Sequence, residues 1–227
     1  MPPRALEPSG VALVDKPAGP SSFAVVAQIR RMTGARTGHA GTLDPFATGL
    51  LLLLSGRATK LAPWFVRLDK RYCTEVDLTR RTSTGDPEGA VVETMEPPSP
   101  RELERRLAAL RGEIDLPIPA ASAVKVGGER AYRLARRGIE VEMPRRSSTV
   151  YALDVIAYRE AVVTLDLRVS SGTYVRAIAD AVGGHCRTLR RTEVGPFDVA
   201  DAVAPAAFEP GLLIPEADVL RRVEAAT

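Results

Sequence analysis

The chain has 227 residues, 45% of them hydrophobic and 26% charged, and a net charge of +3. That length builds one large domain or two small ones, the balance excludes a disordered or fibrous chain, and the longest apolar run, leucines 50 to 54, falls far short of the roughly 20 residues a membrane helix needs. The opening MPPRALEPSG lacks the apolar core of a signal peptide, so a soluble, cytoplasmic protein is expected; Cys73 and Cys186 stand in no C-x-x-C pair, so neither a disulfide framework nor a metal site is.

In chain order, GVALVDKPAG reads as a strand over Val11 to Val14 that ends in a Pro/Gly turn. Ser21 or Ser22 then caps a helix through Met32, with Phe23, Val26 and Ile29 on one face and Gly34 just beyond. The loop GHAGTLDPFATG follows and runs into the leucines, where periodicity cannot separate strand from helix. ATKLAPWFVRLDK looks helical only as far as Pro63. From Lys70 the pattern alternates, with Tyr72, Thr74, Val76 and Leu78 on one side of a strand and Cys73, Glu75 and Asp77 on the other. The turn TSTGDPEG leads to a second strand, VVET.

SPRELERRLAALRG is the clearest helix, with Ser99 as cap, Pro100 at its first position, Glu102 completing a capping box and Gly112 at its end. Residues 116 to 148 look like an insertion that carries a short helix, ERAYRLARRG, with most of its arginines on one face. Strands resume at TVYALDVIAY and AVVTLDLRVS, joined by the turn RE. SGTYVRAIADAVGG is a helix opening on a glycine-bearing turn, and TLRRTEVGPFDV is strand-like. No internal repeat is visible. Strand runs broken by single helices predict an α+β fold with a mixed, largely antiparallel sheet.

Basic residues cluster at Arg30-Arg31-Arg36, Arg57-Lys60, Arg67-Lys70-Arg71, Arg80-Arg81, Arg136-Arg137, Arg145-Arg146 and Arg190-Arg191. Such clusters can neutralise a phosphate backbone. Arginine also makes up 27 of the 31 basic residues, so simple abundance is the competing explanation.

Glycines 38, 41 and 49 let the GHAGTLDPFATG loop fold tightly, and Pro45 pushes Asp44 out of the helical region. A lone aspartate in a turn is more often a turn former that bonds its own backbone. The functional alternative is a nucleophilic or charge-stabilising carboxylate on a rigid mount. His39 fits a general base, a metal ligand or a stacking surface, and two histidines in the whole chain argue against a metal cage. The loop lacks the G-K-[ST] of a phosphate loop.

At this point the sequence closely resembles the TruB-type pseudouridine synthases, the bacterial tRNA pseudouridine-55 synthase family. The segments that carry the resemblance stand in family order: GVALVDKPAGPSS, GHAGTLDPFATGLLLLLSGRATK, KRYCTEVDLTRRTSTGDPEG, SAVKVGGERAYRLARRGIEVE, and SSGTYVRAIAD with HCRTLRRTEVGPF. It implies a pseudouridine synthase catalytic domain over residues 1–200, including an RNA-clamping insertion at 116–148, and a short tail at 201–227. It implies that Asp44 is the catalytic aspartate, that Tyr72 stacks on the target base and that Arg176 pairs with the aspartate. His39 would occupy the space left by flipped T-loop nucleotides, Leu189 would line the uracil pocket, Lys16 with Pro17 would support the site from behind, and the arginine face with Arg136 and Arg137 would clamp the T arm. The expected partner is tRNA, through its T arm, with the protein acting as a monomer. Isomerisation is redox-neutral, so no cofactor and no metal are expected.

The sequence departs from the family in places. Ala40 replaces the usual threonine after the histidine, and Leu116, Ile118 and Ala121 stand where Q-x-P-P and an aromatic are usual. The chain is shorter between Ala181 and His185, and the stretch after the LRR segment is too short for the C-terminal RNA-binding domain of many members. Weaker binding outside the T arm is therefore expected. A non-catalytic tRNA-binding protein of the same fold is the main rival, against which the joint presence of aspartate, tyrosine and arginine argues. An aspartyl-phosphate phosphatase built on VALVDKPAG is rejected because Pro17 stands where the second aspartate is needed.

Overall fold

A computed structural model describes residues 8–137, 139 and 141–226, apart from the side chain of Arg136. The chain begins with strand β1 (Gly10–Lys16), helix α1 (Ser22–Thr33), β2 (Thr37–His39) and β3 (Thr48–Ser55), then a 3-10 turn at Gly56–Leu61, α2 (Ala62–Arg67) and β4 (Lys70–Asp77). It continues through β5 (Arg80–Thr82), β6 (Val91–Thr94), α3 (Pro100–Ala108), β7 (Gly112–Pro117), β8 (Lys125–Val126), β9 (Glu129–Arg130) and α4 (Ala131–Arg136). The rest is β10 (Arg145–Arg159), β11 (Val162–Val169), α5 (Val175–Val182), β12 (His185–Val194), β13 (Phe197–Asp198), three short 3-10 turns and α6 (Glu216–Ala225).

These elements group into two compact units, one of residues up to Tyr72 together with those from Arg190 onward, the other of Cys73–Leu189. In the first, β3 lies between β1, which runs antiparallel to it, and the end of β12, which runs parallel; β2 also pairs with β3. The leucine run is therefore a strand. It is apolar throughout because both its faces are covered, and that is why no period shows in it. Leu50, Leu52 and Leu54 join Val11, Leu13, Phe65, Val194, Phe197 and Val219 in one buried cluster, while Leu51 and Leu53 are equally buried.

Helix α1 starts where Ser21 accepts a hydrogen bond from Ala24 N and stops at Gly34, whose φ of 65° only glycine adopts cheaply. Its buried residues are Ser22, Val25, Val26, Ile29 and Thr33. Phe23 does not share the buried side with Val26 and Ile29 as the spacing predicted. Six residues at 3.6 per turn place it about 120° from Ile29, and it is 71% exposed. Pro63 does not end a helix either. It opens α2, where a missing N–H costs nothing and the fixed φ is already helical.

The outer edge of β1 is covered by the end of the chain. Val11 and Ile214 exchange backbone hydrogen bonds of 2.9 Å each way, Asp15 N donates to Val203 O at 2.9 Å, and Val203 N donates to Leu13 O at 3.1 Å. Satisfying these groups removes an exposed sheet edge.

In the second unit the strand order is β12-β4-β11-β10-β7. β10 pairs antiparallel with both β11 and β7. It begins at Arg145, four residues before the expected Thr149, so the ends of the expected insertion are strands of this sheet. The β10–β11 turn is Glu160-Ala161, one residue later than the RE reading, and both have positive φ, 50° and 64°. That conformation matches the twist of a two-residue hairpin. Ser99 caps α3 by accepting from Glu102 N, but the Glu102 carboxylate turns to Arg105 and Arg106 and does not close the box. Arg106 in turn donates to Val182 O at 2.9 Å, satisfying a terminal carbonyl of α5. The fold class is α+β with a mixed sheet, as predicted.

Candidate active site

The first unit carries Asp44 on a backbone fixed from both sides. Lys16, the last residue of β1 and wholly buried, donates to Pro17 O at 2.8 Å, Pro45 O at 3.1 Å and Ala47 O at 2.7 Å. A buried ammonium requires this many acceptors, and here the loop supplies two of them. The Ser22 hydroxyl donates to Leu43 O at 2.8 Å and accepts from Leu43 N at 2.9 Å. Gly19 N donates to Pro45 O at 2.9 Å and Ala47 N to Asp44 O at 3.2 Å. Leu43 and Ala47 are buried, while Asp44 is half-buried. The backbone that carries the carboxylate is thus held by its neighbours.

Arg191 is a second anchor. It is buried, and donates from Nε to Leu50 O at 2.7 Å and from Nη2 to Gly41 O at 3.1 Å, tying the chain on both sides of Asp44 to β12. Its backbone passes so close to Gly49 that a Cβ there would lie 2.2 Å from Arg191 O. Next to it, Arg190 forms paired hydrogen bonds to Asp15, 3.0 and 2.8 Å long. Ala40 is buried in the leucine cluster, a place where a hydroxyl would need a partner.

His39 ends β2. Its Nδ1 and Nε2 are both buried without a hydrogen-bond partner among the described residues, and its ring meets Phe23 edge-on at 5.1 Å. Desolvation, followed by the charge of Arg191, lowers its pKa below the usual 6.5, so the ring is neutral at pH 7. Tyr72 is buried on β4. On the same side of that strand, Lys70 donates to Val66 O at 2.6 Å and to Leu68 O.

The second unit carries Arg176, in the first turn of α5 and 3% exposed. Its Nη1 donates to Thr84 O at 2.7 Å and to Asp86 Oδ2 at 3.3 Å, and its Nη2 donates to Ala121 O at 3.0 Å. Asp86 is buried too and also accepts from the Thr84 hydroxyl and from Glu88 N. A cation in a first helical turn opposes the helix dipole; the carboxylate and two carbonyls offset that. Arg176 thereby clamps the TSTGDPEG turn. Leu189 is buried on β12. Arg137 is exposed and paired with Glu129 at 2.9 Å, while the side chain of Arg136 lies outside the described residues. Arg133 lies 5.9 Å from the Tyr132 ring centroid. Among the described residues no group of three His, Cys, Asp or Glu could hold a metal ion.

Sequence reasoning did not single out Ser22, Arg191 or Asp86 as functional. Ser22 was read only as a cap and Asp86 only as part of a turn. Arg191 had two signals, its place in the LRR segment and in the basic pair Arg190-Arg191. Chemically, the first unit offers a rigidly mounted carboxylate and an unprotonated imidazole, and the second a buried guanidinium.

The sequence profile of the TruB family pseudouridylate synthase (N terminal domain) matches residues 30–175. The tRNA pseudouridine synthase B of Corynebacterium jeikeium (strain K411) is 43% identical over 215 residues, covering 87% of this chain and 70% of that protein. The protein of that name in Mycobacterium sp. (strain KMS) is 46% identical over 206 residues, covering 85% and 69%. Among solved structures, a Cbf5-Nop10-Gar1 complex matches with a TM-score of 0.63 at 28% identity, over 83% of this chain and 50% of that one. A pseudouridylate synthase crystal structure matches with a TM-score of 0.54 at 15% identity, over 96% and 76%. The fold is that of the pseudouridine synthases. Within that class, the chain belongs to the TruB family.

Proposed function

We propose that the protein isomerises uridine to pseudouridine in tRNA, at the T-loop uridine of position 55. The observation that carries this reading is the mount of Asp44, whose flanking carbonyls are held by the buried Lys16 within a segment matched by the family profile.

The reaction breaks C1′–N1, turns the base and joins C1′ to C5; the C5 hydrogen leaves as a proton and N1 gains one, so no atom is lost overall. The uridine must first leave the stack. The Asp44 carboxylate supplies negative charge or a covalent partner to the electron-poor sugar or base, the demand that glycoside chemistry also makes. Arg176 acts as its counter-charge and keeps it ionised, and Tyr72 holds the extruded uracil by stacking. Leu189 lines the uracil pocket, His39 fills the place of flipped nucleotides and Lys16 backs the loop. Arg136 and Arg137 hold the T arm through its phosphates. The protein acts as a monomer in a reducing cytoplasm, a setting that suits its two free cysteines.

The test is incubation with an unmodified tRNA transcript and mapping of pseudouridine. The unchanged protein is expected to modify one T-loop uridine. Asp44→Asn is expected to bind the RNA as before but to react more than about a thousandfold slower, as loss of a covalent or charge-stabilising group does. Modification by the variant at the parental rate would refute the role of Asp44.

A further inference from the structure

Arg191 is the largest wholly buried side chain among the described residues, at 1% exposure, and the loop that carries Asp44 closes around it. Its guanidinium bonds Gly41 O and Leu50 O. A Cβ at Gly41 would stand 3.5 Å from its Nη1, and one at Gly49 would stand 2.8 Å from its backbone N and 2.2 Å from its O. Gly41 and Gly49 have φ of 94° and 102°, angles that other residues resist. The glycines that bend the loop are thus also the ones that face Arg191. Both hydrogen-bond partners are carbonyl oxygens, and among the described residues no ion pair joins Arg191 to a carboxylate, whereas Arg190 has Asp15 and Arg176 has Asp86. Burying a cation without a carboxylate costs stability, and neutral donors satisfy a carbonyl just as well. The core therefore does not call for a guanidinium at this place.

We propose that Arg191 is a positioning residue of the reaction: its guanidinium sets the separation of Gly41 and Leu50, and through it the place of the Asp44 carboxylate. The inference rests on the reading of Asp44 as the reacting carboxylate and extends it to a residue that the resemblance does not assign. What arginine supplies here is geometry. Its planar fork fixes two acceptors at a set distance and angle from each other, while an ammonium group turns freely about its stem. Lys16 holds the inner carbonyls of the loop, Pro45 O and Ala47 O, and so satisfies them without fixing an angle. Arg191 holds the outer ones, three residues before Asp44 and six after it, and so fixes the span across which the carboxylate is presented. Reactive groups depend steeply on such placement, since a shift of about 1 Å costs on the order of a hundredfold in rate. Buried as it is, Arg191 does not reach the RNA, so its effect falls on the chemical step and not on binding.

The test compares Arg191→Met, Arg191→Lys and Val219→Ala with the parent on an unmodified tRNA transcript, with protein in excess. Methionine removes the buried charge and keeps much of the volume, so the fold should survive. Arg191→Met is expected to bind the tRNA within about twofold of the parent while the single-turnover rate falls about a hundredfold. Arg191→Lys keeps the charge but not the fork, and should recover about tenfold of that loss. Val219→Ala leaves a cavity in the leucine cluster and lowers stability without touching the loop, so it should react at the parental rate below its melting temperature. A second readout needs no activity. The amides of Leu43 and Ala47, bonded to Ser22 Oγ and Asp44 O, should exchange hydrogen at least about tenfold faster in Arg191→Met and at close to the parental rate in Val219→Ala. A parental single-turnover rate in Arg191→Met, or parental exchange at both amides, overturns the proposal. If Arg191→Met does not fold, Arg191→Lys decides: a slower single turnover at unchanged tRNA affinity supports the role, and a parental rate ends it. A parent that modifies no T-loop uridine removes the proposed activity instead, and the exchange measurement then judges the hold of Arg191 on the loop.

Discussion

Lys70 and Lys16 are two buried cations that the fold satisfies with carbonyl oxygens. Burial, with the charge of Arg191 adding to it and Asp69 opposing, pushes the Lys70 pKa from 10.5 down to about 8. Below pH 8 both folded and unfolded chains carry this proton. Between about 8 and 10.5 the unfolded chain binds more of it, so stability rises with pH across that window. Urea titrations from pH 8 to 10 should show the parent gaining about 2 kcal/mol over Lys70→Met; parallel profiles for the two would count against it. At this scale the sequence pointed to Asp44, Tyr72 and Arg176 as candidates because each sits in a short motif that carries the family resemblance. It hid Ser22, Arg191 and Asp86 because their partners are backbone atoms or turn residues remote in sequence, such as Leu43 and Gly41. Phe23 was misplaced because three-residue spacing alone does not say which side of the stripe faces inward.

Strand β3 depends on a close approach. Gly49 has a φ of 102° and no room for a Cβ beside Arg191. Gly49→Ala is expected to cost more than about 3 kcal/mol, combining backbone strain with a backbone clash. Gly38→Ala, where nothing lies within 4 Å, should stay within about 1 kcal/mol. Chemical denaturation of the two variants side by side decides the matter. Elements with caps or alternation were legible: α1 from Ser21 to Gly34, α3 from Ser99, β4 and β11 from their period. Elsewhere the physical signals are ambiguous. The leucines have no period because both faces are covered, and a proline marks a helix start as readily as an end, as Pro63 does.

The first unit is assembled from both ends of the chain. Val219 of α6 is fully buried in the leucine cluster, so Val219→Asp should destabilise the protein by several kcal/mol, more than about 4, through an unpaired charge in an apolar site. A urea midpoint equal to the parent's would mean that the tail contributes nothing to that core. The overall α+β class was readable from the order of elements, but the docking of the tail was not. Ile214 and Val203 reach β1 across almost the whole chain, and no local pattern records such a pairing. This discontinuity bears on synthesis. As the polypeptide leaves the ribosome, residues 10–55 emerge first, yet the parallel neighbour of β3 and the strap over β1 are made only after Cys73–Leu189, a contiguous unit able to close sooner. At about 5–20 residues per second, the nascent amino-terminal strands wait on the order of ten seconds for them. In that interval an uncovered strand edge and five consecutive leucines are open to chaperones and to neighbouring nascent chains.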